Sequence, residues 1–178
     1  MKKIIFLDRD GTIIFDPEDE RVDREDKIKL FLDSIEALKY LADNNFSVVL
    51  ITNQAGVAEG RINLQDFDRI NNKVLEMLAP SGIKILKTYV CPHSPEDKCE
   101  CRKPKPTMIL EAAKEFGIDL AKSYMVGDRE SDILAGINAG IKTVLVKTAN
   151  KPVKVKEATY TTLTLLDAVK YISSKYND

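Results

Sequence analysis

Ile4-Ile5-Phe6-Leu7-Asp8-Arg9-Asp10-Gly11-Thr12 decides the fold of this chain. Its four apolar residues read as a buried strand that stops at two carboxylates two positions apart, with a glycine behind them that lets the backbone turn. Side chains alternate along a strand, so Asp8 and Asp10 face one patch just past its tip. Like charges so placed resist full ionisation unless a cation sits between them or one carboxyl keeps its proton, which implies a divalent metal, a shared proton, or both. Taken alone, the stretch also fits a solvated Asp-Gly turn.

Working outward, apolar runs and helical periods alternate to the end of the chain. Ile13 to Leu32 is crowded with charge and reads as a loop or small flap near the site. Asp33 is a candidate N-cap for a helix with Ile35, Leu38 and Leu41 on one side, ended by Asn44 and Asn45. Ser47 to Ile51 is a second buried strand, with Val48-Val49-Leu50-Ile51 as its apolar run, and it leads into Thr52-Asn53-Gln54-Ala55-Gly56. A helix from about Leu64 to Leu78 lines up Phe67, Ile70, Val74 and Leu78. Ile85 to Val90 gives a third strand, followed by Cys91 and a loop to Lys103. Pro106 opens a helix with Ile109, Leu110, Ala113 and Phe116 inward and Gly117 at its end.

Tyr124 to Val126 is a short strand stopping at Gly127-Asp128, Ser131 to Ala139 a helix, and Thr143 to Val146 a fifth strand. A sixth lies near Ala158 to Thr162, and Leu163 to Tyr176 is a terminal helix with Leu166, Val169 and Ile172 inward. Such alternation predicts an α/β fold, a Rossmann-like three-layer sandwich with a mostly parallel sheet, in one domain spanning residues 1–178. Open parallel sheets bind ligands beyond the carboxyl ends of their strands. Four polar groups of residues occupy those ends: Asp8 and Asp10; Thr52, Asn53 and Gln54; Arg102 and Lys103; and Asp128 with Asp132.

Charge and length set the outer bounds. With 27 basic and 28 acidic residues among 178, the chain carries no electrostatic footprint for nucleic acid or an anionic membrane. The apolar run after Lys2 and Lys3 is too short for a signal peptide or a membrane span, which predicts a cytoplasmic protein. The partner expected is then a small molecule, met by a monomer or small homo-oligomer.

Carboxylates at the strand ends suit a hard cation such as Mg²⁺, while Thr52, Asn53, Arg102 and Lys103 suit an anion. The two sets together suit a phosphate ester bridged to Mg²⁺. Phosphoryl transfer needs an in-line nucleophile, positive charge around the equatorial oxygens and a proton source for the leaving oxygen. Asp8 at the strand tip is the candidate nucleophile, and Asp10 the group that protonates the leaving alcohol and later deprotonates water.

In order, Asp8-Arg9-Asp10-Gly11-Thr12, a Thr after the second strand, a later Lys, and Gly127-Asp128 followed by Asp132 resemble the four motifs of the haloacid dehalogenase superfamily of phosphatases. The resemblance implies Asp8 as nucleophile and Mg²⁺ ligand, and Asp10 as acid/base that lends its backbone carbonyl to the metal. It also implies Thr52, Asn53 and Lys103 around the phosphoryl group, Asp128 as a further metal ligand and Asp132 behind it. A regulatory phospho-acceptor domain uses similar groups, but it has no use for an acid/base at Asp10. A zinc-stabilised binding module with vestigial acids is a third alternative.

All three cysteines and the only histidine fall within Cys91-Pro92-His93 and Cys99-Glu100-Cys101. Three thiols and one imidazole are the donor set of a closed tetrahedral Zn²⁺ site, so a structural zinc is expected to fold this loop and to hold Arg102 and Lys103 over the phosphate. Such a loop resembles two groups within the superfamily, the heptose bisphosphate phosphatases and the histidinol phosphatases, both with a minimal cap. Thr52 to Gly60 and Arg102 to Pro106 with Met108 look more like the former; Val22-Asp23-Arg24 and the short His93 to Cys99 spacing look more like the latter. Ala55 and Glu59 stand where the heptose pattern commonly has Ser and Arg, and an acid at 59 suits a neutral or cationic substrate part. Arg102 and Arg129 remain candidates for a distal phosphate.

Overall fold

The structure, a computed structural model, describes residues 3–17, 22–147, 155 and 157–176. Six strands, β1 (Lys3–Leu7), β2 (Phe46–Asn53), β3 (Lys84–Cys91), β4 (Tyr124–Gly127), β5 (Lys142–Val146) and β6 (Tyr160–Thr162), form one sheet in the order β3-β2-β1-β4-β5-β6. Every pairing is parallel, so the sheet is fully rather than mostly parallel. The helices between them are α1 (Ser34–Asp43), α2 (Ala55–Ala58), α3 (Leu64–Leu78), α4 (Thr107–Phe116), α5 (Glu130–Asn138) and α6 (Leu165–Tyr176).

Alternation within β1 builds two cores. Ile5 and Leu7 face one side with α1, α3 and α6 through Leu38, Leu41, Ile70, Val74, Leu78, Val169 and Ile172. Ile4 and Phe6 face the other with α4 and α5 through Met108, Ile109, Ala112 and Ala135. Each fully buried Val, Leu, Ile, Phe or Met side chain among them contributes about 1.5–3 kcal/mol. The chain winds outward from β1 to β3, crosses back to β4 and winds outward again. The order therefore reverses between β1 and β4, where a doubly wound sheet opens its binding crevice.

Three expectations from the sequence change. Leu110 points outward at 43 % exposure, because the inward face of α4 runs through Met108, Ile109 and Ala112. Asp33 precedes α1 in a helical conformation and makes no side-chain cap; its carboxylate accepts the Leu166 N–H at 2.8 Å and ties α1 to α6. The stretch from Ile13 to Leu32 is more than a flap, since Ile13, Ile14, Val22 and Ile28 are buried in the first core. Residues 18–21 of that stretch lie outside the described set.

Candidate active site

At the tip of β1, the backbone N–H of Asp8 donates to Val126 O of β4 at 2.9 Å, which fixes the Asp8 backbone against the next strand. The Asp8 carboxylate is buried, and Lys103 Nζ lies 2.5 Å from its Oδ1, 2.6 Å from Asp132 Oδ1 and 2.8 Å from Ile51 O. Oxygens of Asp8, Asp128 and Asp132 all lie within 4.8 Å of one another. Three buried acids around one ammonium leave an excess of negative charge. Burial, and then the neighbouring carboxylates against the pull of Lys103, hold Asp8 well above the ordinary carboxylate range. Asp128 is pushed up to about 7 by burial and by Asp132. Burial alone would lower the Lys103 ammonium, but Asp132 and Asp8 raise it above its ordinary value.

Two glycines make this packing possible. Gly11 turns the chain at φ +86°, and a Cβ there would sit 2.4 Å from Asp128 Oδ2. A Cβ on Gly127 would sit 2.4 Å from the Cβ of Asp132. Asp132 also accepts the Arg129 N–H at 3.0 Å and so caps α5, a role that neither Asp128 nor Ser131 fills.

Asp10 sits beside this cluster, its carboxylate 16 % exposed and surrounded by donors. Gln54 Nε2 donates to it at 2.6 Å and Thr52 Oγ1 at 3.3 Å, and Arg9 donates through Nε and Nη2, each at 3.1 Å. Gln54 and Thr52 therefore reach Asp10 first. The Asn53 side chain bonds Lys103 instead of Asp10, its Nδ2 donating to Lys103 O at 3.2 Å and its Oδ1 accepting the Lys103 N–H at 3.1 Å. Both backbone groups of Lys103 are thus held by one side chain.

A cleft of about 120 Å³ opens over these groups, lined by Asp8, Asp10, Thr52, Asn53, Gln54 and Lys103, by the buried Asp132, and by Arg102 and Arg129. Asp128 lies below it, in reach of Asp8. Ala55, Ser131 and Asp16 complete the wall, and Asp16 forms an ion pair with Arg129. Asp16 gave no signal in the sequence, being one acid in a stretch full of them. Glu59 is absent from the wall and pairs with Arg61 at 3.1 Å, so its charge is turned away from the cleft.

Beside the cleft, Cys91, His93, Cys99 and Cys101 converge. Sulfur and Nδ1 atoms are separated by 3.5 Å (Cys91 to Cys99), 3.7 Å (Cys91 to His93), 3.3 Å (His93 to Cys101) and 3.6 Å (Cys99 to Cys101). These are the edge lengths of a tetrahedron whose centre lies about 2.0–2.3 Å from each donor, the bond lengths of zinc. Burial, joined by hydrogen bonding to Cys101, pushes the Cys91 thiol up to about 12, a cost that a bound cation would offset. The loop is stitched to the site: Arg102 Nη1 donates to His93 O at 3.0 Å, Gln54 N to Cys91 O at 2.7 Å and Ala58 N to Pro92 O at 3.0 Å.

A family model described as HAD-hydrolase-like matches residues 100–169. Over 182 aligned residues, covering 97% of each protein, the chain is 43% identical to D-glycero-beta-D-manno-heptose-1,7-bisphosphate 7-phosphatase of Pasteurella multocida. It is 42% identical over 149 residues to the enzyme of that name from Helicobacter pylori strain J99, covering 83% of this chain and 84% of the relative. The histidine biosynthesis bifunctional protein HisB of Baumannia cicadellinicola is 38% identical over 80% of this chain, a match confined to 40% of that longer protein. Among solved structures, D,D-heptose 1.7-bisphosphate phosphatase from B. bronchiseptica, complexed with magnesium and phosphate, superposes with a TM-score of 0.90 at 32% identity, over 98% of this chain and 99% of that one.

Proposed function

The chain belongs to the heptose-1,7-bisphosphate phosphatase family of haloacid dehalogenase-like hydrolases, and we propose that it removes one phosphate from a heptose 1,7-bisphosphate through a phosphoryl-aspartate on Asp8. The observation that carries this reading is Asp8 at the reversal point of the sheet, with Lys103 Nζ at 2.5 Å and two further carboxylates within 4.8 Å. Membership in a phosphatase family removes the phospho-acceptor and binding-module alternatives. Histidinol phosphate fits less well, because the HisB relatives are less similar, 38% identical over 80% of this chain against 43% over 97% for the Pasteurella multocida enzyme.

In the proposed reaction a carboxylate oxygen of Asp8 bonds to phosphorus as the phosphorus–oxygen ester bond breaks. Asp10 gives its proton to the departing alkoxide. A water then loses a proton to Asp10 and attacks the same phosphorus, which frees inorganic phosphate and restores Asp8. Lys103 supplies fixed positive charge beside the nucleophile, and Asn53 fixes the Lys103 backbone. Thr52 and Gln54 hold Asp10 at the cleft.

The carboxylates of Asp8 and Asp128 and the backbone carbonyl of Asp10 are the oxygen donors assigned to Mg²⁺, with Asp132 behind them. Oxygens of Asp8, Asp128 and Asp132 within 4.8 Å of one another are a donor set suited to a hard divalent cation. Magnesium bound there supplies positive charge to the phosphoryl oxygens. Zn²⁺ held by Cys91, His93, Cys99 and Cys101 supplies no chemistry in this reading; it fixes the loop that carries Arg102 and Lys103. Arg129 with its partner Asp16, and Arg102, are assigned to the far end of the substrate. Sugar phosphates are retained inside cells by their charge, which supports a cytoplasmic setting.

Phosphate release from heptose 1,7-bisphosphate, histidinol phosphate and a simple aryl phosphate, with Asp8→Asn as control, tests the proposal. The bisphosphate should give the highest kcat/KM and Asp8→Asn none. Wild-type turnover by Asp8→Asn would end the nucleophile assignment.

A further inference from the structure

Arg9 is the largest fully buried side chain among the described residues, with 0% exposure, yet the chemistry above gives it no part to play. A buried guanidinium costs several kcal/mol unless it is paired and hydrogen-bonded. Its Nε donates to Asp10 Oδ2 and its Nη2 to Asp10 Oδ1, both at 3.1 Å, the two-pronged geometry that fixes a carboxylate in both rotation and tilt. Behind the fork, the guanidinium lies over the Phe67 ring, 5.2 Å from its centroid, and Nη1 lies 3.5 Å from Asn71 Oδ1. Asn71 in turn donates to Thr88 Oγ1 at 3.2 Å. Arg9 is therefore braced on α3 and β3, elements that otherwise contribute nothing to the cleft.

Alternation explains the position. Residue 9 lies between two residues that face the cleft, so its side chain leaves the strand tip on the opposite side, toward α3. From there it returns only to Asp10. We infer that Arg9 is a positioning residue for the acid/base: it holds the Asp10 carboxylate facing the leaving oxygen, with Gln54 and Thr52 meeting Arg9 Nε on Oδ2. The inference rests on the proposed role of Asp10. Lysine, a single-point donor, would keep the charge without the fork.

The test is a double-mutant cycle on heptose 1,7-bisphosphate with Arg9→Met, Arg9→Lys, Asp10→Asn and the Arg9→Met/Asp10→Asn pair, each checked for zinc content and Tm. Arg9→Met and Arg9→Lys are expected to lower kcat about 10- to 100-fold, within the range that acid/base catalysis contributes, while KM stays within about twofold. In the Asp10→Asn background the Arg9 change should cost less than about threefold more, because its target is gone. Arg9→Lys keeps the buried charge and the packing on Phe67; if Arg9→Met does not fold, the cycle is run with lysine. Additive losses, or a rise in KM with kcat intact, would overturn the positioning role alone. Wild-type turnover by Asp10→Asn would overturn the acid/base assignment and this inference with it.

Discussion

Asn53 brackets Lys103: one amide side chain at the end of β2 accepts the Lys103 N–H at 3.1 Å and donates to the Lys103 carbonyl at 3.2 Å. A residue read from sequence as a phosphate ligand thus sets the position of the cation that meets Asp8. Asn53→Ala is expected to lower kcat by one to two orders of magnitude and to cost about 1–3 kcal/mol of stability from two lost hydrogen bonds. Asn53→Asp keeps only the acceptor and should fall between. Steady-state kinetics and chemical denaturation check both; unchanged kcat in Asn53→Ala would show that Lys103 is held without it.

Gly127→Ala tests the packing of the acid cluster. The new Cβ falls 2.4 Å from Asp132 Cβ and Cγ, and Asp132 cannot retreat without releasing Arg129 N and Lys103 Nζ. Overpacking of this kind costs about 1–3 kcal/mol. A lower Tm together with a severe loss of phosphate release is expected, and a fully active variant would contradict the described contact.

Stability of the magnesium-free protein should fall as pH rises from about 4 to about 7. The sign follows from Asp128, whose carboxyl is held up to about 7 by burial and Asp132 against an ordinary value of 3.8. In that window the folded chain keeps a proton that the unfolded chain has released, so each step up in pH favours unfolding until Asp128 has ionised in both states. Asp8, also raised, adds in the same direction. Tm measured against pH in magnesium-free buffer should show this fall; excess magnesium should flatten it and Asp128→Asn should lessen it. A rising Tm across the window in both wild type and Asp128→Asn would refute the assignment.

Metal analysis should find one zinc per chain. Its removal is expected to lower Tm and turnover together, because the loop that loses its fourfold tie also carries Arg102, bonded to His93 O, and Lys103. Added zinc should restore turnover and added magnesium should not. Full activity in Cys101→Ser protein free of zinc would separate the loop from the site.

Much of this was legible in the sequence because it rests on short-range rules. Period-2 and period-3.6 patterns marked the six strands and the longer helices to within a few residues, and strand ends with polar residues marked the cleft. What escaped is what only tertiary packing decides. Arg9 stands between two acids just beyond β1, and only the packing of Phe67 and the reach to Asp10 show where its guanidinium goes. Leu110 fits the period of α4 almost as well as Met108 does, and only the presence of the sheet on one side separates them. Ile13 and Ile14 were lost among charges, although they are as buried as β1 itself. The partners of Asn53, Gln54 and Glu59 depend on what stands opposite each, which no local pattern encodes.

Leu7 of β1 and Val126 of β4 are register partners, so Asp8 and Asp128 leave adjacent, hydrogen-bonded strands within two residues of that pairing. Their separation is governed by the spacing between parallel strands, roughly 4.8 Å, a dimension common to β-sheets. A pair of acids gauged this way takes its spacing from the sheet and not from the loops around it. The surrounding connections are then free to be rewritten for a new sugar, since altering them leaves the spacing of the two acids untouched.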